Sequence, residues 1–135
     1  AYCYEDTVPT LKELKSKGYK TAIVSNTTWG SPANLWLEHI ETLGLSAYFD
    51  VVVFCSDVGW RKPAKQIFLY TLQKLQVPSQ QCVFVGDDPR WDVAGPRNVG
   101  IYPILIDRKT STQYIKKKTK LIKNLNELTE KLQHI

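Results

Sequence analysis

The sequence predicts an α/β protein, a three-layer α/β/α sandwich built on a parallel sheet. Short apolar, partly β-branched runs alternate with amphipathic helical segments. Two of these runs end abruptly in polar residues, as buried parallel strands do: Val24 is followed by Ser25-Asn26-Thr27-Thr28, and Val85 by Gly86-Asp87-Asp88. The chain has 135 residues, 43% of them hydrophobic, enough for one core and therefore for one domain or part of one.

The elements follow in order. Asp6 and Thr7 precede Val8, Leu11 and Leu14, with Pro9 in the first turn and Gly18 as terminator, so a short capped helix is expected. Tyr19 to Val24 reads as a strand. The hydroxyls, amide and backbone N–H groups of Ser25 to Thr28 suit an anion, and suit equally an ordinary cap for the next helix. Trp29 to Pro32 reads as a turn, and Ala33 to Leu43 as a helix closed by Gly44. Val51 to Phe54 form the next strand. After the loop Ser56 to Arg61, Pro63 fits the first position of a helix whose apolar face is Ile67, Phe68, Thr71, Leu72 and Leu75.

Lys62 is thereby anchored just before a helix start, although most lysines in such places are simply exposed. Pro78 separates that helix from the strand Cys82 to Gly86, and Gly95-Pro96 interrupts the helix after it. Ile101 to Ile106 is the last parallel-type strand. Residues 110–119 are polar. Leu121, Ile122, Leu125, Leu128 and Leu132 have helical spacing, so residues 110–135 are expected to be a polar linker and a C-terminal helix packed on a core spanning 1–109.

Right-handed crossovers put the C-terminal ends of all strands along one edge, where ligands of open α/β sheets gather. Ser25, Lys62, Asp87 and Asp92 fall at or just after those ends. A tight turn could bring the carboxylates of Asp87 and Asp92 to one point, where they repel unless a cation or proton lies between them. Their hard oxygens favour Mg²⁺, which typically takes one or two carboxylates plus a substrate phosphate. The plainer alternative is that Asp87 caps the next helix and Asp92 is a solvated first-turn acid.

The net charge of +5 arises largely in the C-terminal third, where Lys116, Lys117, Lys118 and Lys120 lack the interleaved aromatics of a nucleic-acid module, so no nucleic-acid partner is expected. Cys3, Cys55 and Cys82 are odd in number and without metal-like spacing, which fits a reducing compartment. No apolar run reaches membrane length and no signal-like N-terminus is visible, so a cytoplasmic protein without a membrane partner is expected. The chain contains no Met, and is therefore not expected to begin at a natural start codon.

Taken together, Ile23-Val24-Ser25-Asn26, Arg61-Lys62-Pro63 and Val85-Gly86-Asp87 through Asp92 resemble, in order and spacing, the second, third and fourth motifs of the haloacid dehalogenase-like (HAD) hydrolase superfamily. The resemblance runs over nearly the whole chain and implies a Rossmann-like sheet. It implies that Ser25 hydrogen-bonds a transferred phosphoryl group, that Lys62 neutralises charge on nucleophile and phosphoryl oxygens, and that Asp87 and Asp92 hold Mg²⁺. Asn26 and Thr27 are further candidates for contacts to phosphate or substrate.

The family's first motif, a strand ending in Asp-x-Asp with the nucleophile, has no counterpart among the 24 residues before Ser25. The sheet is therefore expected to be incomplete and the 135 residues alone to be catalytically silent. Two open strand edges would then invite self-association or pairing with a missing N-terminal segment. The 36 residues between Ser25 and Lys62 leave no room for a cap domain. The intact protein is expected to be a Mg²⁺-dependent phosphatase of a small phosphorylated substrate, acting through an aspartyl-phosphate. The alternatives are a metal-free dehalogenase of the same superfamily, and a non-catalytic binding module or half of a two-chain assembly.

Overall fold

The computed structural model describes residues 5–26, 38, 40–108 and 120–133. Thr27, the turn at 29–32, most of the expected helix at 33–43 and the polar stretch 110–119 lie outside them. Five strands are described, β1 (Ala22–Ser25), β2 (Val51–Phe54), β3 (Val83–Gly86), β4 (Tyr102–Ile106) and β5 (Lys120–Ile122). All pair in parallel, as β1-β2 and as β3-β4-β5, with Ser25 opposite Phe54, Gly86 opposite Leu105, and Ile106 opposite Ile122. Helices among the described residues include α1 (Thr7–Ser16), the single turn α2 (Cys55–Val58), α3 (Lys65–Leu75), the short α4 (Gly95–Arg97) and α5 (Leu128–Leu132), and Glu38, Ile40, Glu41 and Thr42 are helical as well.

Side-chain alternation along the strands produces the expected layers. Phe84 faces a cluster of Val53, Cys55, Ile67, Phe68 and Ile101, on the side covered by α3. Its neighbours Val83 and Val85 face the opposite way, into a second cluster of Leu14, Ile104, Ile122 and Leu128 beneath α1 and α5. A sheet buried on both faces accounts for the near-continuous apolar runs. Phe68 and Phe84 meet edge to face with centroids 5.3 Å apart, a favoured aromatic geometry.

The sheet is interrupted. Among the described residues no ladder joins β1 to β3. A cleft of about 1050 Å³ lies there instead, lined by Ile23 and Val24, by Phe84 and Val85, and by residues of α1 and α3. The arrangement is an incomplete Rossmann-like α/β sandwich.

Several boundaries differ from the sequence expectation. Helix α3 begins at Lys65, because Lys62, Pro63 and Ala64 form a turn closed by the Ala64 N–H donating to the Arg61 carbonyl at 2.8 Å. The leucine-rich C-terminal stretch does not start as a helix: Lys120–Ile122 extend alongside β4, and only Leu128–Leu132 are α-helical. Ile122 is wholly buried there, and the vacant edge of β4 outweighs the helical spacing of the leucines. Asp6 does not cap α1 with its side chain. Its carboxylate instead accepts from both terminal nitrogens of Arg108 at 3.1 Å and from the Leu125 N–H at 2.7 Å, tying the start of α1 to the C-terminal segment. No helix among the described residues is long and apolar enough to cross a membrane.

Candidate active site at the mouth of the cleft

Lys62 sits at the rim of the cleft and is fixed at both ends. The side-chain amide of Asn26, one residue past β1, donates to the Lys62 carbonyl at 3.1 Å and accepts from the Lys62 N–H at 2.8 Å. The ammonium reaches Asp92 Oδ1 at 2.6 Å, with the two side chains only 11% and 5% exposed. It also lies 5.3 Å from the centroid of the Phe84 ring, within reach of a cation–π attraction.

The segment after β3 assigns its three aspartates three different tasks. Asp88 is the cap: its Oδ1 accepts from the N–H groups of Arg90 at 2.9 Å and Trp91 at 2.8 Å, ahead of Pro89 in the first turn. The Pro89–Ala94 segment is a widened helical turn in which the Gly95 N–H reaches back five residues to the Arg90 carbonyl. Within it the buried Asp92 turns its carboxylate toward Lys62, and its second oxygen accepts from the Asp88 N–H at 3.1 Å. Asp87 is exposed, lines the cleft, and has no hydrogen bond or ion pair among the described residues.

Two glycines make this packing possible. A Cβ on Gly86 would stand 2.3 Å from the Asp92 Cβ, so only glycine lets that carboxylate lie over the end of β3. A Cβ on Gly95 would come within 2.8 Å of the Phe68 ring and 3.1 Å of Pro63, the residue after Lys62.

The structure thus brings Lys62, Asp87 and Asp92 to one cleft. Ser25 stands half-buried at the end of β1, next to Asn26. Asn26, expected near phosphate, spends its amide on the Lys62 backbone. The capping role entertained for Asp87 belongs to Asp88, and the Asp88-Pro89 pair was the sequence signal for it.

Among the described residues no three His, Cys, Asp or Glu side chains cluster to hold a metal. The donor chemistry of Asp87, a hard oxygen ligand with no partner among the described residues, nevertheless suits Mg²⁺. Asp92 already meets an N–H donor on each oxygen. The thiol of Cys82, which also lines the cleft, is pushed up by burial.

Lys62 and two acids therefore meet at one edge of an interrupted parallel sheet. Residues 1–100 match the haloacid dehalogenase-like hydrolase family, and the chain belongs to it. It is 36% identical over 102 residues to a ribulose-1,5-bisphosphate 5-phosphatase of Halopiger xanaduensis, a match covering 76% of this chain and 41% of that protein. The crystal structure of a HAD phosphatase from Thermococcus onnurineus superimposes with a TM-score of 0.83 at 37% identity, covering 96% of this chain and 57% of that one. A 2-haloacid dehalogenase from Pseudomonas syringae has a TM-score of 0.82 at 26% identity, covering 97% and 53%. The chain spans less than half the length of the curated relative.

Proposed function

We propose that this chain supplies the phosphate-binding and charge-neutralising part of a Mg²⁺-dependent phosphatase acting on a small phosphorylated substrate through an aspartyl-phosphate. One observation carries it: Lys62 is held at 2.6 Å by a buried acid while the nearby Asp87 carboxylate is left open, both at the mouth of an unfilled slot. The shared fold does not separate phosphatase from dehalogenase. The open acid supports the phosphatase reading, because a metal-free enzyme has little use for a second carboxylate beside its lysine.

In this reading an extended strand seated between β1 and β3 brings the nucleophilic aspartate to the rim. Ser25 and the backbone N–H groups after β1 orient the phosphoryl oxygens, and Lys62 offsets the charge that grows on them. Asp92 keeps the ammonium in place. Asp87 is the residue that would hold Mg²⁺, with Asp92 behind it. The metal, when bound, supplies Lewis-acid neutralisation of a phosphate oxygen. The 135 residues alone lack the nucleophile and are inactive, and their open edges at β1 and β3 favour self-association or pairing with the absent strand.

The test is hydrolysis of an aryl phosphate by this chain alone and by a version extended with an Asp-x-Asp strand, each with and without Mg²⁺. The extended protein should turn over only with Mg²⁺ and lose that turnover with Asp87→Ala. Mg²⁺-dependent turnover by the 135 residues alone, abolished by the same substitution, refutes the predicted inactivity. Sedimentation should show the short chain associated; a clean monomer counts against the open-edge account.

A further inference from the structure

We infer that Asn26 is a positioning residue for Lys62, acting on the lysine backbone rather than on substrate; its catalytic consequence rests on the phosphatase reading above. The two residues are 36 apart in sequence and joined by two hydrogen bonds of opposite sense, 3.1 Å from the Asn26 Nδ2 to the Lys62 carbonyl and 2.8 Å from the Lys62 N–H to the Asn26 Oδ1. A primary amide is the one uncharged side-chain group that offers a donor and an acceptor side by side, as the edge of a peptide does. A hydroxyl carries both functions on a single atom and cannot present them side by side. A carboxylate accepts from the N–H and opposes the carbonyl. The reversed amide would set oxygen against oxygen, so the orientation is determined by the pairing itself.

The position of the bridge gives it leverage. It joins the residue after β1 to the turn between β2 and α3, and among the described residues no other polar contact holds the Lys62 backbone to β1. Lys62 then spans from this anchor to Asp92, which belongs to the segment after β3. The lysine is thereby fastened to both banks of the cleft, its backbone to the β1 side and its ammonium to the β3 side. Without Asn26 the backbone anchor is gone while the ammonium contact remains, so the side chain must follow Asp92 from an unfixed base.

Asn26→Ala and Asn26→Asp test this, with Asp6→Asn as a variant perturbed away from Lys62. The first measurement needs no turnover: the rate at which an amine-acylating reagent modifies Lys62, followed by peptide mass spectrometry under conditions where thermal melts show every variant folded. Lys62 should be slow to react in the wild type and in Asp6→Asn, several-fold faster in Asn26→Ala, and intermediate in Asn26→Asp. An unchanged Lys62 rate in Asn26→Ala overturns the inference, whatever the enzyme's activity. If Asn26→Ala does not stay folded, Asn26→Asp alone decides, and a wild-type rate there overturns it equally.

The second measurement is aryl phosphate hydrolysis by the extended protein. Loss of positioning should lower kcat on the order of 10²-fold with KM little changed, since a displacement of about 1 Å has that effect on a catalytic group. A rise in KM alone would instead assign Asn26 to substrate binding and overturn the positioning role. Altered labelling with no hydrolysis by the unmutated extended protein leaves the positioning standing and rejects the phosphatase reading.

Discussion

Two lysine–aspartate pairs in this molecule have the same separation and opposite surroundings. Lys15 and Asp50 meet at 2.6 Å near the start of β1, with side chains 32% and 40% exposed. Lys62 and Asp92 meet at 2.6 Å at the rim of the cleft, almost sealed from water. Distance therefore says little about what each pair does. At Lys15 water screens the attraction, and such pairs contribute about 0–1 kcal/mol. The hydrogen bond from Lys15 and the Thr21 N–H still hold the Asp50 carboxyl below its ordinary value. At Lys62 the charges are costly to desolvate, and the pair persists because the second Asp92 oxygen also finds an N–H. The exposed pair decorates the fold, whereas the buried one constrains where a positive charge can be.

The sharpest way to break this contrast is to remove one partner of each. Lys62→Ala should destabilise by about 3–5 kcal/mol, read by urea unfolding, because it strands a buried carboxylate. A loss under about 1 kcal/mol would put the two pairs in the same class. Next in size, Gly86→Ala forces a methyl group to within 2.3 Å of the Asp92 Cβ and should cost about 1–3 kcal/mol as overpacking while moving the carboxylate off Lys62.

A third acid probes the same contrast through pH. Burial alone would raise the Asp6 carboxyl, but the Arg108 hydrogen bonds, the Leu125 N–H and the Arg108 charge outweigh it and hold it below its ordinary value of 3.8. A depressed aspartate stabilises the fold above that value, and the contribution is lost as pH falls through the lower folded-state value. Unfolding midpoints measured down an acid series should therefore drop less steeply in Asp6→Asn than in the wild type. The smallest effect belongs to Lys15→Met, which should shift stability by no more than about 1 kcal/mol. A larger change would show that Lys15 is more than surface decoration.

Much of this was legible from sequence, for physical reasons that can be named. Runs such as Val51-Val52-Val53-Phe54 send alternate side chains to opposite faces, with Val53 and Phe54 buried and Val51 and Val52 partly so, and are therefore continuously apolar, which makes strands easy to place. The gathering of Lys62, Asp87 and Asp92 follows from parallel topology, since the two acids lie in the segment after β3 and Lys62 in the connection from β2 to α3. The division of labour among Asp87, Asp88 and Asp92 was less legible, because it depends on how one widened turn aims each carboxylate. Two long-range features left no local signal: Asn26 on the Lys62 backbone, and the Asp6–Arg108 bond across 102 residues. Strand β5 was hidden for a different reason. Lys120-Leu121-Ile122 continues into leucines at helical spacing, and only the open edge beside β4 makes it extended.

The widened turn at Pro89–Ala94 has a consequence for how this segment tolerates length change. A regular helix advances about 100° per residue, so one residue more or fewer in the turn swings everything beyond the alteration through more than a quarter of a circle. Deleting a residue between Asp88 and Asp92 would aim the buried acid away from the lysine while leaving every chemical group of the site in the chain. The spacing of this short loop is thus as much a component of the apparatus as the side chains it bears, and a frame-preserving deletion here should act like the loss of a charged residue.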